Sequence, residues 1–328
     1  MQKILDSPDA NKIYLYSGNS LRVFLKYIQS FYNTAFNAAY FFVVLAMLSV
    51  ILFLNYMHPS AADFIHSFPW PYRFGWYYFF YFIPFAGAYL LQYFFYKDSR
   101  FLKNKYFLTL VIAAPVFFSF RVNFNFHHSL LHLLWRGDEA IFWQLCSDWI
   151  IKAVVLITLV YFTWLVTAKP RQALYGTAKL INAKPYFILL MYMLPLIVWA
   201  AMQWDFLQMY PRAQVIAPLH IANKGLRYFI FECCYAFDFV SIEFFFRGFL
   251  IIAFMRICGP QCIVPAACFY CCIHCGKPVA EAISSFFGGI LLGIISYHTK
   301  SIWGSLLVHI GIAAMMELAG FAANEFLK

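Results

Sequence analysis

Long apolar runs broken by short polar connections set the pattern of this chain; short amphipathic stripes do not. A run of about 18 or more apolar residues reads as a bilayer span, because a helix of that length crosses the hydrocarbon layer with every backbone N–H and C=O paired internally. The runs predict spans over 36–57, 74–96, 106–120, 142–167, 186–208, 227–256, 261–276, 281–298 and 301–324. The third and seventh are short and the sixth is long. A re-entrant third segment would leave eight spans rather than nine. The predicted fold class is all-α, a polytopic transmembrane helix bundle of eight to nine spans. The longest polar stretches are 1–35, 121–141 and 168–185. None has the size of a soluble domain, and no repeat at a solenoid period is present.

Composition strengthens this reading. Hydrophobic residues make up 63% and charged residues 12% of the 328 residues, against about 45–50% and 25% in soluble domains. So few charges cannot cover a water-exposed surface. The 40 Phe and 23 Tyr suit lipid-facing surfaces and interfacial belts. The net charge of +10 gathers at alternate helix ends. Lys3, Lys12, Arg22 and Lys26 precede the first span. Lys97, Arg100, Lys103 and Lys105 follow the second, and Lys169, Arg171, Lys179 and Lys184 follow the fourth. The intervening loops carry Arg73, then Arg121 and Arg136, then Arg212, Lys224 and Arg227. Positive-inside bias places the N-terminus in the cytoplasm. The first span lacks a small-residue cleavage site and is expected to stay in the mature chain. The expected setting is a multi-pass protein of a bacterial cytoplasmic membrane. Anionic lipid headgroups account for the basic flanks without a nucleic-acid partner.

Candidate chemistry begins where polar residues interrupt apolar helix. The first five spans are nearly plain, with only Asp148 and Lys152 near one end of the fourth and Asp205 near the end of the fifth. The sixth holds Asp238, Glu243 and Arg247. Each central charge costs about 2.5–3.5 kcal/mol to insert, while each Phe or Leu returns about 0.3–0.6. These three must therefore face the bundle interior. Glu243 and Arg247 stand four residues apart and can pair on one face. A purely structural ion pair is the alternative to a functional one. His274 and His309 lie on the seventh and ninth spans. Together these groups can take a proton from water or hold a metal. On the eighth span, Ser285, Gly289 and Gly293 repeat at four-residue spacing, which lets helix backbones approach closely. Cys268, Cys271, Cys272 and Cys275 crowd the seventh span, and Cys233, Cys234, Cys258 and Cys262 stand nearby. Small apolar residues in lipid are the favoured reading of these thiols, over a metal–thiolate site. On the predicted interfacial helix from Phe126 to Trp135, His128 and His132 stand one turn apart. They read as interfacial histidines without a carboxylate partner rather than as a metal pair.

Three stretches of the last hundred or so residues resemble the CPBP family of intramembrane endopeptidases, which includes the type II CAAX prenyl endopeptidases. The family's E-E-x-x-x-R-G motif is matched by Ile242-Glu243-Phe244-Phe245-Phe246-Arg247-Gly248. Its aromatic-x-x-x-His motif is matched by Tyr270 to His274. Its Ser-Leu-Trp-like helix start leading to H-x-x-x-N is matched by Ser301-Ile302-Trp303-Gly304 and by His309 through Ala313. The domain division that follows is 1–220, transmembrane spans without a recognised motif, and 221–328, a CAAX-protease-like core. The resemblance implies hydrolysis of a membrane-associated peptide or protein by water that a glutamate and a histidine activate, with a second histidine and an asparagine on the oxyanion. Carried over, Glu243, Arg247, His274 and His309 are the matching site residues. Two positions depart: the first glutamate is Ile242 and the asparagine is Ala313. Asp238, one turn before Ile242, and Glu317, two turns after His309, are the candidate compensating acids. No cofactor is expected. Zinc on His274, His309 and Glu243 is the lesser alternative, because no H-E-x-x-H spacing is present. The other functional classes are an inactive relative acting as a scaffold or immunity factor, and an ion-coupled transporter, which inverted repeats would favour and which this chain lacks.

Overall fold

The computed structural model describes residues 21–57, 61–96, 101–167, 173–178 and 181–326. Of the orienting basic residues, Lys3, Lys12, Lys97, Arg100, Lys169, Arg171 and Lys179 lie outside them. Among the described residues every regular element is helical, and seven helices or joined helical tracts are long and apolar enough to cross a membrane. In chain order the elements are α1 (Arg22–Ala35), α2 (Ala38–Met57), α3 (Ala61–His66), α4 (Tyr72–Tyr96), α5 (Lys105–Asn123), α6 (His127–Leu134), α7 (Gly137–Thr167), α8 (Lys184–Ala200), α9 (Trp204–Met209), α10 (Lys224–Glu243), α11 (Met255–Cys258), α12 (Ile263–Cys272), α13 (Val279–Thr299) and α14 (Trp303–Phe326). The protein is an integral membrane helix bundle.

The third predicted span is long enough as a helix to cross a membrane. It forms the 19-residue α5. Asn104 starts it, its Oδ1 accepting from the backbone N–H groups of Tyr106 and Phe107 at 3.0 and 3.2 Å. The fifth span, α8, has 17 residues and covers about 26 Å, slightly less than the hydrocarbon thickness. The sixth and seventh predicted spans belong to one apolar tract of 49 residues, Lys224–Cys272. Gly259, at φ +58°, and Pro260 break it. Glycine adopts that backbone without a Cβ clash, and proline cannot continue the preceding helix. The polar stretch 1–35 also holds an element that its composition hides. In α1, Val23, Phe24, Tyr27, Phe31 and Ala35 form a buried stripe at helical spacing, and Tyr27 stacks on His298 of α13 at 4.6 Å.

After Glu243 the helix widens into a π-helical stretch, Phe244–Ala253, in which every residue is buried. π-turns are uncommon beyond single bulges and often mark functional sites. Here the wide turns run beside the loop at 173–178. A Cβ on Gly248 would lie 2.9 Å from the Tyr175 carbonyl oxygen, so the motif glycine is what lets the loop lie against the helix. The same loop reaches the turn between α13 and α14. Ile302 N–H donates to Gly176 O at 3.3 Å, and the Trp303 indole donates to Thr177 O at 2.7 Å.

α13 packs on α12 through its small residues. Cβ atoms added at Gly289 and Gly293 would meet Ala267 and Ile263 at 3.2 Å. Lipid tails are as apolar as leucine, so this contact rests on close van der Waals fit rather than on exclusion of water. Aromatic rings fill the centre. Phe269 meets Phe245 at 5.7 Å and Phe246 at 5.5 Å, both near perpendicular, and such pairs contribute about 0.5–1.5 kcal/mol each beyond area burial. Outward, Phe42, Leu54, Phe79, Phe94, Val166 and Phe187 are exposed, as lipid-facing residues are.

Candidate active site

Glu243, the last residue of α10, is fully buried. Its two oxygens have different partners. Oε1 accepts from His309 Nδ1 at 2.8 Å, and Oε2 accepts from Arg247 Nε at 3.1 Å. Arg247 is equally buried. Its Nη1 donates to the Gly289 carbonyl at 3.3 Å, and its guanidinium lies over the Tyr270 ring at 4.9 Å. The close approach of α13 thus supplies an acceptor for the arginine. Removing one partner of such a buried pair costs about 3–5 kcal/mol, because the other charge is left alone in low dielectric.

His309 lies two turns into α14, and its ring packs on Phe239 at 4.3 Å. Its Nε2 stands 3.5 Å from the Tyr270 hydroxyl. His274 follows the end of α12, and its Nδ1 donates to the Tyr270 carbonyl at 2.8 Å. A carbonyl oxygen only accepts, so neutral His274 carries its proton on Nδ1 and a lone pair on Nε2. The carboxylate of Glu243 imposes the same tautomer on His309. Tyr270 joins all these groups, as a backbone acceptor for His274, a ring face for Arg247 and a phenol beside His309.

A cavity of about 270 Å³ adjoins them. His274, His309, Ile242, Asp238, Arg121 and Tyr235 are among its lining residues, with Arg212 and Lys277 from the connections. Ile242, at the family's first glutamate, faces this cavity; Glu243 is not among the lining residues. Asp238 is on the wall but is engaged: Arg121 Nη2 reaches both its oxygens, at 2.6 and 2.5 Å, and Ser241 Oγ donates to Oδ1 at 3.1 Å. Glu317 is elsewhere. Its oxygens accept from the backbone N–H groups of Arg212 and Ala213 at 2.8 and 3.4 Å, capping the 3₁₀ turn before α10. Ala313 is buried among Tyr235, Phe239 and Leu306.

The structure therefore brings Glu243, Arg247, His274 and His309 together, with Asp238 beside them and Glu317 apart. Sequence reasoning missed Arg121, counted only as a loop charge although it sits in the last turn of an apolar helix and pairs with Asp238. It also missed the several contacts of Tyr270. The thiols behave as small hydrogen-bonding residues: Cys262, Cys258 and Cys271 donate to the carbonyls of Gly259, Phe254 and Ala282 at 3.2, 3.4 and 3.3 Å. One histidine expectation is corrected. His128 has a carboxylate partner, with Nε2 2.8 Å from Asp148 Oδ1. The 31-residue α7 folds back beside α6, and so brings a residue 20 positions away onto the imidazole.

Residues 224–315 match the family described as type II CAAX prenyl endopeptidase Rce1-like. The match begins at the first residue of α10 and contains Glu243, Arg247, His274 and His309. Over this stretch the chain is similar to that protease family. No curated protein and no solved structure matches the chain.

Proposed function

We propose that the protein is an intramembrane endopeptidase that hydrolyses a peptide bond of a membrane-associated peptide or protein. The observation that carries this reading is the pairing of Glu243 with His309 Nδ1 at 2.8 Å, on a histidine that shares one cavity with His274. Glu243 fixes the His309 tautomer and stabilises the imidazolium formed when Nε2 takes a proton from water, the role a buried carboxylate plays in a catalytic triad. The Nε2 lone pair of His274 accepts the water's other hydrogen and so aims the oxygen at the scissile carbonyl. His309 then returns its proton to the leaving amine. Arg247 neutralises Glu243 and holds it in place. This arrangement requires no metal. In a cleavage assay in reconstituted membranes, Glu243→Gln, His274→Ala and His309→Ala each lower turnover by about 10²–10⁴-fold, the range of general acid–base catalysis. Unchanged cleavage in folded His274→Ala protein would overturn the proposal.

A second reading is an inactive relative that keeps the fold as a scaffold or immunity factor. Ile242 on the cavity wall favours it, since the residue facing the substrate space at that point cannot take a proton, and Asp238 beside it is tied to Arg121. In that case the native chain cleaves nothing above the background of the His274→Ala variant.

A further inference from the structure

The start of α6 and the N-terminal half of α7 bring together three side chains outside the candidate active site. His128 Nε2 stands 2.8 Å and His127 Nε2 3.1 Å from one oxygen, Asp148 Oδ1. Only the first contact has hydrogen-bond geometry; neither buried ring nitrogen of His127 makes a hydrogen bond among the described residues. The three atoms lie within 4.8 Å of one another. The two rings meet at 4.5 Å with 76° between their planes, so their nitrogens approach from different directions. Lys152 Nζ takes the other carboxylate oxygen, Oδ2, at 3.2 Å. That contact leaves Oδ1 to the histidines.

The arrangement satisfies His127 poorly as a hydrogen bond but resembles a set of ligands. With bonds of about 2.0–2.1 Å, neighbouring donors of a tetrahedral zinc site stand about 3.3 Å apart. The His127 separation of 3.1 Å lies close to that edge, and the His128 separation of 2.8 Å lengthens as an ion replaces the hydrogen bond. We propose that His127 Nε2, His128 Nε2 and Asp148 Oδ1 bind a divalent transition-metal ion of the zinc type, with water completing the shell. Two imidazoles and one carboxylate suit that borderline class of ion, and Lys152 orients the carboxylate from behind, as supporting groups do at such sites. The ion clips α6 to α7 just after Arg121 and beside Trp149, both of which line the cavity. Its role is to fix that wall, independently of any proteolysis.

The test uses the full-length protein in detergent, stripped with a chelator and titrated with cobalt(II), then zinc. The expected result is one cobalt per chain with the visible bands of four-coordinate nitrogen and oxygen ligation. The thiolate charge-transfer bands that the nine cysteines would produce are absent. His127→Phe, which keeps a ring in place, and Asp148→Asn each weaken binding by at least about 10–100-fold, no less than loss of a mere supporting group costs. His132→Ala and His274→Ala bind as the native chain does, and zinc raises the melting temperature of the native chain but not of His127→Phe. Melting curves establish that each variant is folded. Thiolate bands, loss of binding in His274→Ala, undiminished binding in both His127→Phe and Asp148→Asn, or no uptake by folded native protein overturns the proposal.

Discussion

Glu243 and Ile242 are neighbours with opposite surroundings. One is sealed between Arg247 and His309, the other faces the cavity. In the proposed mechanism, the cavity wall lacks the carboxylate that the family motif places there. Ile242→Glu is therefore expected to raise turnover on the order of 10²-fold, within the range of an added acid–base group, in the membrane cleavage assay. A fall or no change would mean that Glu243 and His309 already supply all the proton transfer the site uses. The residues of this site were legible because charge and imidazole are costly at membrane depth, so Glu243, Arg247 and His274 stand out in apolar sequence. Their partners were less legible. Arg121 is 117 positions from Asp238, and Asp148 is 20 positions from His128. Contacts so distant in the chain depend on which helices become neighbours, and hydropathy does not encode that choice.

At the scale of the element, the helices themselves were the most readable feature, since a lipid-spanning run has only one way to pair its backbone. Two departures have local causes. The tract Lys224–Cys272 is apolar apart from a few charged residues, and Gly259 and Pro260 divide it. The amphipathic α1 hides in a polar stretch because its buried face is one residue in three or four. The π-helical segment has no sequence signature that could have announced it. Its fit against the loop is nonetheless testable. Gly248→Ala places a methyl group 2.9 Å from the Tyr175 carbonyl oxygen, and this overpacking is expected to cost about 1–3 kcal/mol. Thermal melting in detergent measures it; a melting temperature equal to the native one would show that the loop yields freely.

Across the whole molecule, the Arg121–Asp238 pair ties α5, from the part of the chain without recognised motifs, to α10 in the family-matched part. Arg121→Met leaves a buried carboxylate alone and is expected to destabilise by about 3–5 kcal/mol. Adding Asp238→Asn to the same chain removes the stranded charge and recovers most of that loss. Equilibrium unfolding of the two single variants and the double variant gives the coupling, and strict additivity would mean that the pair is solvated. The contacts of Glu243 with Arg247 and His309, and the cavity that His309 shares with His274, show how far a motif alone reaches: it named residues that do converge, but not the cavity wall that α2, α4 and α5 complete.

The loop at Tyr175, Gly176 and Thr177 has a consequence for heredity as well as for packing. It is wedged between Gly248 and the turn before Trp303, on both of which it makes backbone contacts. The stretch 224–315 is therefore not a cassette. A gene fusion or recombination event that moved it into another membrane protein would leave the Trp303 indole without its acceptor and the furrow over Gly248 open. A transplanted core keeps these contacts only if residues 175–177 travel with it.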